Sequence, residues 1–383
     1  MCFRDMNSHG LQFIFLSIFA VFGSTLRMYS GRIFGLDCDI PPTKHDYLTP
    51  LSTCVTATGL TGQRGGALFI DLPANMLGSF IMGIMNADRE DIAAVPWLGS
   101  NHRLQNYSSI HQSIRVAFCG SLTTFASWNT QMVTMMIGAE SIVGSQIVSA
   151  LFGYLLGIIC ATSSFRFGRS TSLLFHRIRY PQHLTSDHSV KNDMNSDENR
   201  SSILKNIDRI TTRSKEMCLC MLNLLDLAFH SKYSSIICFV ILLTLFFLGY
   251  FIQKDSFHKS LLICTLLSPP GTILRWKLSS LNYKRKNFPL GTFVANLFAS
   301  IVSIICEAIS SRLSFESSSL ASLWLIGIKT GFAGNLSTVS TLAKELVLLS
   351  DNDNELQSVV YAFLTIFICS ISSLSLYALI IYT

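Results

Sequence analysis

Charged residues are scarce in this 383-residue chain: only 14% of the residues are Asp, Glu, Lys or Arg, whereas 49% are hydrophobic. The sequence also lacks the HExxH and GxSxG motifs of common hydrolases and the P-loop pattern of ATP-hydrolysing proteins. The scarcity of charge argues against a soluble protein. The missing motifs argue against common hydrolytic chemistry and against an ATP-driven pump, so we do not expect an enzyme.

Cysteine pairs at metal-binding spacing are also missing. The eleven Cys include no CxxC pair, and most of them lie inside apolar segments. Cysteines in such segments are usually small apolar fillers. We therefore predict neither a cysteine metal site nor a disulfide framework.

Long apolar segments are what the sequence does contain. Roughly 20 apolar residues span a bilayer, and nine windows are long enough. No clear small-residue cleavage site follows the first window, so we interpret it as a helix rather than as a signal peptide. The windows lie near residues 9–30, 66–86, 112–137, 139–162, 235–252, 258–280, 287–309, 321–348 and 357–381.

One long polar segment, residues 163–234, separates the fourth and fifth windows. Its Lys and Arg outnumber its Asp and Glu, and so mild an excess is more typical of a cytoplasmic segment than of nucleic-acid binding. The basic run Lys284–Lys286, two crossings later, falls on the same side. We predict a cytoplasmic segment, no nucleic-acid partner, an amino terminus inside and a carboxyl terminus outside.

Two apolar stretches, one in each half, repeat the same residues. The first runs from Arg115 to Ala126 as RVAFCGSLTTFA, and the second runs from Lys329 to Ser340 as KTGFAGNLSTVS. Both carry a Gly and hydroxyl residues in the middle, where a simple spanning helix would have Leu or Ile. Irregular polar backbone at membrane depth is tolerated only where it is buried in protein or lines an aqueous path. We therefore predict a broken third helix in each half.

Two further matches place these stretches in a larger repeat. Gly23–Arg27 in the first crossing matches Gly271–Arg275 in the sixth, and Asn75 in the second matches Asn296 in the seventh. In the first half Asn75 is followed by Gly78-Ser79, whereas no Gly-Ser pair follows Asn296 at this spacing. Because a single crossing separates two groups of four, the second group is inverted relative to the first.

The predicted fold class is therefore all-α and transmembrane, with nine helices in two inverted four-helix repeats joined by a single linker helix. Residues 1–162 form the first repeat. Residues 163–257 form a cytoplasmic linker and a connecting transmembrane helix. Residues 258–383 form the second, inverted repeat.

The matched residues resemble the fluoride channel family, to which eukaryotic fluoride export proteins belong. The resemblance rests on G-x-x-x-R, on N-x-x-G-S in the second helix, and on the third-helix motif, from which Val116–Phe125 differs little. It covers nearly the whole chain except the linker. It implies a plasma-membrane protein that carries fluoride and functions as a single-chain pseudo-dimer.

Fluoride is strongly hydrated, so its passage across hydrocarbon requires hydrogen-bond donors that replace water. Amide and hydroxyl side chains supply such donors without trapping the anion. Ring edges carry partial positive charge, and the family resemblance gives that role to Phe125, with Trp128 at the second ring position. The predicted pore donors are Asn75, Asn296, Ser79, Thr123, Ser127 and Thr341.

The resemblance further implies a structural sodium ion at the centre of the protein. Its ligands would be backbone carbonyls at the two helix breaks. By position these are the carbonyls of Gly120, Thr123, Gly334 and Ser337.

The two halves differ at the ring positions, where Val339 and Leu342 stand in the second half. This difference predicts that at least one of two pores is altered or vestigial, without indicating which one. A second difference is Asp71, whose matching position is Thr292. An acid there either repels an anion or caps a helix.

Three charged residues in the apolar windows each have two interpretations. Arg27 and Arg275 either reach the lipid headgroups or serve a vestibule or packing role, and Glu345 is either pore-associated or an anchor. The function predicted is passive, voltage-driven export of fluoride through a selective channel. Two competing hypotheses are a coupled secondary anion transporter, for example fluoride/proton, and an intramembrane enzyme or scaffold without transport.

Overall fold

The computed structural model describes residues 2–35, 68–86, 108–137, 143–179, 249, 255–284, 288–313, 319–352 and 354–383. Within these ranges all the regular secondary structure is helical. The fifth predicted crossing, near 235–252, and most of the polar linker lie outside the described residues. The nine-helix count and the connecting helix therefore stay predictions.

The first half contains five helical segments. Helix α1 is Cys2–Gly35 and α2 is Leu72–Ile84. Segment α3 joins the α-helix Ser108–Gln112, the π-helix Ser113–Cys119 and the turn Gly120–Leu122. Helix α4 is Ala126–Ile137, and α5 is Val143–Arg179.

The second half repeats this order. Helix α6 is Ser256–Leu278, followed by the 3-10 helix Ser279–Lys284, and α7 is Leu290–Leu313. Segment α8 joins the α-helix Leu320–Ile326, the π-helix Gly327–Ala333 and the turn Gly334–Leu336; α9 is Ser340–Asp351 and α10 is Glu355–Tyr382.

Each third crossing is broken at the predicted place. The backbone is extended at Thr123 (φ −98°, ψ 149°) and at Ser337 (φ −81°, ψ 162°), and a π-helix precedes each break. An extended residue releases the backbone groups on either side from the helical hydrogen-bond ladder. Their hydrogen bonds must come from elsewhere in the protein.

Four described helices carry segments long and apolar enough to cross a membrane: Gln12–Phe34, Gln146–Arg177, Leu290–Leu313 and Glu355–Tyr382. Helix α2 is a shorter apolar helix. The outer surfaces of α5 and α10 expose large apolar side chains such as Phe152, Leu155, Phe363 and Phe367. Such a surface suits lipid rather than water.

Helix α5 is longer than the sequence predicted, since it continues past residue 162 to Arg179. Near its far end Arg169 pairs with Asp351 at the end of α9, at 2.5 Å. Helices α2 and α5 cross closely, because a side chain at Gly83 would overlap the Phe165 carbonyl and one at Gly168 would overlap the Phe80 carbonyl. Glycine is therefore required at this crossing for packing.

The two halves pack through their post-break helices. Helix α4 contacts α7 and α10 of the other half, and α9 reciprocally contacts α2 and α5. Within each half the fourth helix packs on the second, α5 on α2 and α10 on α7. Every contact in this set has its counterpart in the other half, as an internal twofold repeat requires.

Candidate ion pathway at the crossing of the broken helices

Each helix break is capped by a side chain of the other half. The Thr123 hydroxyl oxygen accepts hydrogen bonds from the backbone N–H groups of Val339 (3.2 Å) and Ser340 (3.1 Å). The Ser337 hydroxyl oxygen accepts from the N–H groups of Phe125 (3.1 Å) and Ala126 (3.0 Å). Thr and Ser are strong helix N-caps. Here the capping residue and the helix it caps belong to different halves.

The two arginines of the repeat also cross between the halves. Arg27 donates to the carbonyls of Gly334 (2.8 Å) and Thr330 (2.6 Å). Arg275 donates to the carbonyl of Gly120 (2.8 Å) and to two others, those of Ser337 and Val116 (both 2.7 Å). Both side chains are buried, with 2% and 5% exposure.

This geometry excludes headgroup contact for either guanidinium group. Both arginines satisfy carbonyls that the π-helices and breaks leave without helical partners. A charged donor of this kind makes stronger hydrogen bonds than a neutral one. The headgroup interpretation is therefore wrong for both arginines, and their vestibule or packing role stays a prediction.

Glycine at the breaks is what admits the arginines. A Cβ atom at Gly120 would overlap the guanidinium of Arg275, and one at Gly334 would overlap that of Arg27. The repeated Gly in the third-helix motif is thus explained by close approach of a side chain from the other half.

The matched asparagines hold the residue that follows each break. Asn75 donates to the Thr124 carbonyl at 3.2 Å and accepts from the Thr124 N–H at 2.8 Å. Asn296 makes the same two bonds to Thr338, at 3.2 and 2.8 Å. An Asn amide nitrogen carries two N–H donors, so each retains one beyond the bond to its threonine carbonyl.

A matched pair of buried hydroxyl groups lies one helical turn beyond the asparagines. Ser79 is 0% exposed, and its hydroxyl has no hydrogen-bond partner among the described residues. Ser300 occupies the matching position in the second half, buried beside the Cys369 thiol. The Gly-Ser pattern of the first half does not reveal Ser300, because the second half has Ala299-Ser300.

The aromatic residues of the first half form one buried cluster. Trp128 is 0% exposed, stacks on Phe69 at 5.0 Å between ring centroids, and meets Phe125 edge-on at 5.4 Å. Its indole N–H has no hydrogen-bond partner among the described residues. Gly157 on α5 makes room for the indole, since a Cβ there would overlap it. Trp128 therefore fills space between α4 and α5.

Ser127 and Thr341, the remaining predicted donors, are only partly buried. Ser127 interacts with the Asp71 side chain, and the Thr341 hydroxyl accepts from the Thr338 hydroxyl at 3.4 Å. These two therefore lie beside the crossing, whereas Thr123 and both asparagines form part of it.

Asp71 does not cap α2, although it occupies the N-cap position: its side chain accepts no hydrogen bond from the helix. The capping interpretation is therefore wrong. The carboxylate is buried and faces Arg27 and Lys329, and one of its oxygens has no hydrogen-bond partner among the described residues.

Glu345 has a different kind of neighbourhood in the second half. It accepts hydrogen bonds from Thr292 (2.6 Å), Asn282 (3.0 Å) and Tyr361 (2.9 Å). Thr292 matches Asp71 in the repeat, and Glu345 matches Gln131, which accepts from the Ile70 N–H at 3.2 Å. Each half thus has one acid near the start of its second helix. In the first half it is Asp71, at the start of α2 itself, and in the second half it is Glu345, which reaches the start of α7 from α9.

The carbonyls predicted to hold sodium are the ones that the arginines contact, apart from that of Thr123. One nitrogen of Arg275 lies within 2.8 Å of both the Gly120 and the Ser337 carbonyl oxygens, so these two carbonyls meet at one point. A carbonyl oxygen has two lone pairs, and each of these keeps acceptor capacity. Backbone carbonyls at a helix break are a fitting donor set for a monovalent cation. Three of the four predicted carbonyls already accept from a guanidinium group, and the sodium ion stays a prediction.

Apolar spanning helices, broken third crossings and reciprocal contacts together define a multi-pass membrane protein built from two related halves. Residues 14–165 and 262–376 match the family described as CrcB-like protein, Camphor Resistance (CrcB). These segments make up more than half of the chain, which therefore belongs to this family. The family membership predicted from the sequence is confirmed.

Curated relatives carry names that agree with this assignment. The chain is 32% identical over 125 residues to "Fluoride export protein 1" of Candida albicans, which is 31% of each protein. It is 37% identical over 92 residues to "Fluoride-specific ion channel FluC" of Serratia proteamaculans, 24% of this chain and 69% of that protein. The match to the Candida albicans protein thus spans about a third of its length. No solved structure matches the chain.

Proposed function

We propose that this chain is a fluoride-selective channel of the plasma membrane that exports fluoride passively. In this proposal the chain is a single-chain pseudo-dimer in which nine helices form two inverted four-helix halves and a connecting crossing. The printed names of the relatives concern fluoride export and fluoride-specific channels. Those names support the choice of ion.

The observation that carries the proposal is the reciprocal crossing of the two broken helices. Buried donors surround it; on the side of Asn296 the Ser300 hydroxyl has no hydrogen-bond partner among the described residues, and Asn296 keeps a second amide N–H. A buried donor without a partner costs about 1–3 kcal/mol. A dehydrated anion that accepts such hydrogen bonds recovers that cost.

The driving force requires no cofactor or nucleotide. A negative-inside membrane potential favours anion exit by about 2.3 kcal/mol per elementary charge per 100 mV. Passive export therefore needs only a selective path and a potential.

The two sides of the crossing differ in polarity, which bears on the prediction of one vestigial pore. On one side, formed by α4, α7 and α10, the buried face of α10 carries Tyr361, Thr365, Cys369 and Ser373. We name this the hydroxyl-lined side. It also contains the hydrogen bonds Thr130–Ser303 and Asn129–Ser373, both at 2.8 Å.

The other side, formed by α2, α5 and α9, is the apolar side. The buried face of α5 carries Ala150, Tyr154, Ala161 and Phe165, and Trp128 packs against it at Gly157. We propose that fluoride passes along the hydroxyl-lined side and that the apolar side is the vestigial path. Hydroxyl groups can replace water around the anion, whereas alkyl groups cannot.

Within this path, Asn296 and the ring of Phe125 are proposed to contact the ion near the crossing. Asn75, Ser79, Ser127, Thr341 and Trp128 would belong to the altered path or its mouths. A sodium ion on the carbonyls of Gly120, Thr123, Gly334 and Ser337 would share the free carbonyl groups with the arginines and hold the two breaks together.

Proteoliposomes test the proposal directly. Vesicles loaded with potassium fluoride should release fluoride when valinomycin dissipates the opposing voltage, and a fluoride electrode records the release. Vesicles loaded with chloride serve as the matched control and should release none. Absence of fluoride release from folded protein would refute the proposal.

A coupled transporter is the second candidate, because the buried Asp71 and the partly buried Glu345 are groups that could carry a proton. The same vesicles separate the two mechanisms. A channel releases fluoride without a pH gradient, whereas release that requires a proton gradient would establish coupling.

A further inference from the structure

The ionisable residues around the crossing are distributed unequally between the two faces of the protein. Asp71 at the start of α2 faces Lys329, eight residues before the break at Ser337. Thr292 at the start of α7 bonds to Glu345, eight residues after the same break. Helices α2 and α7 therefore begin at opposite ends of the broken helix. We name the Asp71 end the first face and the Thr292 end the second face.

Beside the crossing at the first face, the two buried or partly buried cations are opposed by acids, whereas Arg312 at the end of α7 is exposed and donates to the Ile380 carbonyl. Lys329 pairs with Glu307 at 2.6 Å, and Arg27 and Lys329 both face the Asp71 carboxylate. Two positive and two negative side chains thus balance one another. Gln131, which lies beside this group through its bond to the Ile70 N–H, is neutral.

At the second face the matched positions keep the cations and lose both of these acids. The counterparts of Arg27 and Lys329 are Arg275 and Arg115, whereas those of Asp71 and Glu307 are Thr292 and Asn86. Of the acids at this end of α9, Glu345 accepts from neutral donors, and Asp351 is paired with Arg169.

The two arginines of the second face have no acidic partner. Arg275 donates to backbone carbonyls, and the Arg115 Nε donates to the His111 carbonyl at 3.4 Å. No carboxylate pairs with either arginine within the ranges that the structure describes.

We propose that the second face is the anion-collecting mouth of the protein and that the first face is electrostatically neutral toward the ion. The inference rests on the proposed transport of fluoride. Unpaired positive charge beside a low-dielectric path raises the local concentration of an anion, and paired charge does not. If the basic linker is cytoplasmic, as the positive-inside rule predicts, the second face is the cytoplasmic one. Fluoride would then be gathered on the side from which it must be removed.

Membrane vesicles of both orientations, prepared from the same expressing cells, test this inference. The fluoride concentration that gives half-maximal flux is measured for entry into right-side-out and into inside-out vesicles. For one unit of charge near a mouth, we expect the two values to differ roughly two- to fivefold. A high concentration of an impermeant salt should reduce the difference.

Isosteric variants then assign each face. Asp71→Asn removes an acid of the first face. It should lower the half-saturating concentration only for vesicles that expose the first face on their outer surface. Glu307→Gln should act in the same direction and replaces Asp71→Asn as the test if that variant does not fold. Arg115→Gln removes a cation of the second face. It should raise the half-saturating concentration only for vesicles that expose the second face on their outer surface.

The outcomes separate this inference from the proposed function. Equal half-saturating concentrations in wild-type vesicles of both orientations, or variants that shift both orientations alike, would overturn it while leaving fluoride transport intact. Absence of fluoride flux in either orientation would instead refute the proposed function. Size-exclusion profiles in detergent check that each variant is folded.

Discussion

The first and second halves agree where they hold each other and differ where an ion would pass. Arg27 and Arg275, Asn75 and Asn296, and the capping pair Thr123 and Ser337 make equivalent hydrogen bonds. The ring positions, the acids and the buried faces of α5 and α10 have all diverged. In this protein the hydrogen bonds around the two helix breaks preserve the repeat. The surfaces away from those contacts have become specialised.

The largest effect is expected from removing a contact that both halves share. Arg275→Gln leaves the carbonyls of Gly120, Ser337 and Val116 without their charged donor. At about 1–3 kcal/mol for each unsatisfied buried group, the loss amounts to several kcal/mol. The melting temperature in detergent and the yield of folded protein measure it. Arg27→Gln leaves only two carbonyls without a charged donor, so its loss of stability should be smaller. A larger loss of stability for Arg27→Gln than for Arg275→Gln would contradict this prediction.

The apolar side can be tested by overpacking. Gly157→Ala adds a methyl group where the Trp128 indole lies, which should destabilise the protein by about 1–3 kcal/mol. The double variant with Trp128→Phe has a smaller ring and should recover part of that loss. Thermal unfolding measures both variants. An unchanged melting temperature in Gly157→Ala would show that the indole does not fill this side.

The matched asparagines sharpen the comparison at the crossing itself. Asn75→Asp and Asn296→Asp each place a carboxylate against a threonine carbonyl and remove the amide donors. Because Asn296 belongs to the hydroxyl-lined side, its change should reduce fluoride flux about tenfold more than the change at Asn75, or about 1.4 kcal/mol. Proteoliposome efflux at matched protein content measures the ratio. Equal losses would argue against one vestigial path.

The smallest expected effect comes from single hydroxyl groups. Thr365→Val removes a buried hydroxyl of α10 with little change in shape, and should lower fluoride flux about fivefold, as the loss of one hydrogen bond predicts. Ser79→Ala removes a buried hydroxyl on the apolar side and should leave flux near the wild-type value. Initial efflux rates compare the two. A stronger effect at Ser79 would reverse the assignment of the conducting side.

Local sequence signals were sufficient to locate the breaks and the matched asparagines. A Gly followed by hydroxyl residues inside an apolar window is incompatible with a regular lipid-facing helix, so Thr123 and Ser337 were found where expected. Family membership followed from the same residues. These features depend on chemistry within a few residues of one another.

The partners of Arg27, Arg275 and Asp71 could not be read in the same way. Arg27 bonds to a carbonyl 307 residues away, and no periodicity in the sequence reports a contact at that distance. Asp71 precedes α2 like an ordinary N-cap, and only the tertiary neighbours reveal that its carboxylate faces two cations. Ser300 was missed for a simpler reason, since Ala299 interrupts the Gly-Ser pattern.

The cross-capping of the two breaks also has a consequence for biosynthesis. When the first half enters the membrane, the groups that bond Arg27 and cap α4 have not yet been made, because they belong to residues 330–337. A charged side chain without partners is costly in the bilayer core. We therefore expect the first half to remain incompletely folded until α8 is inserted. The first half would then complete its folding only after the ribosome has synthesised the second half. Cross-linking of stalled nascent chains before and after residue 340 would reveal that order.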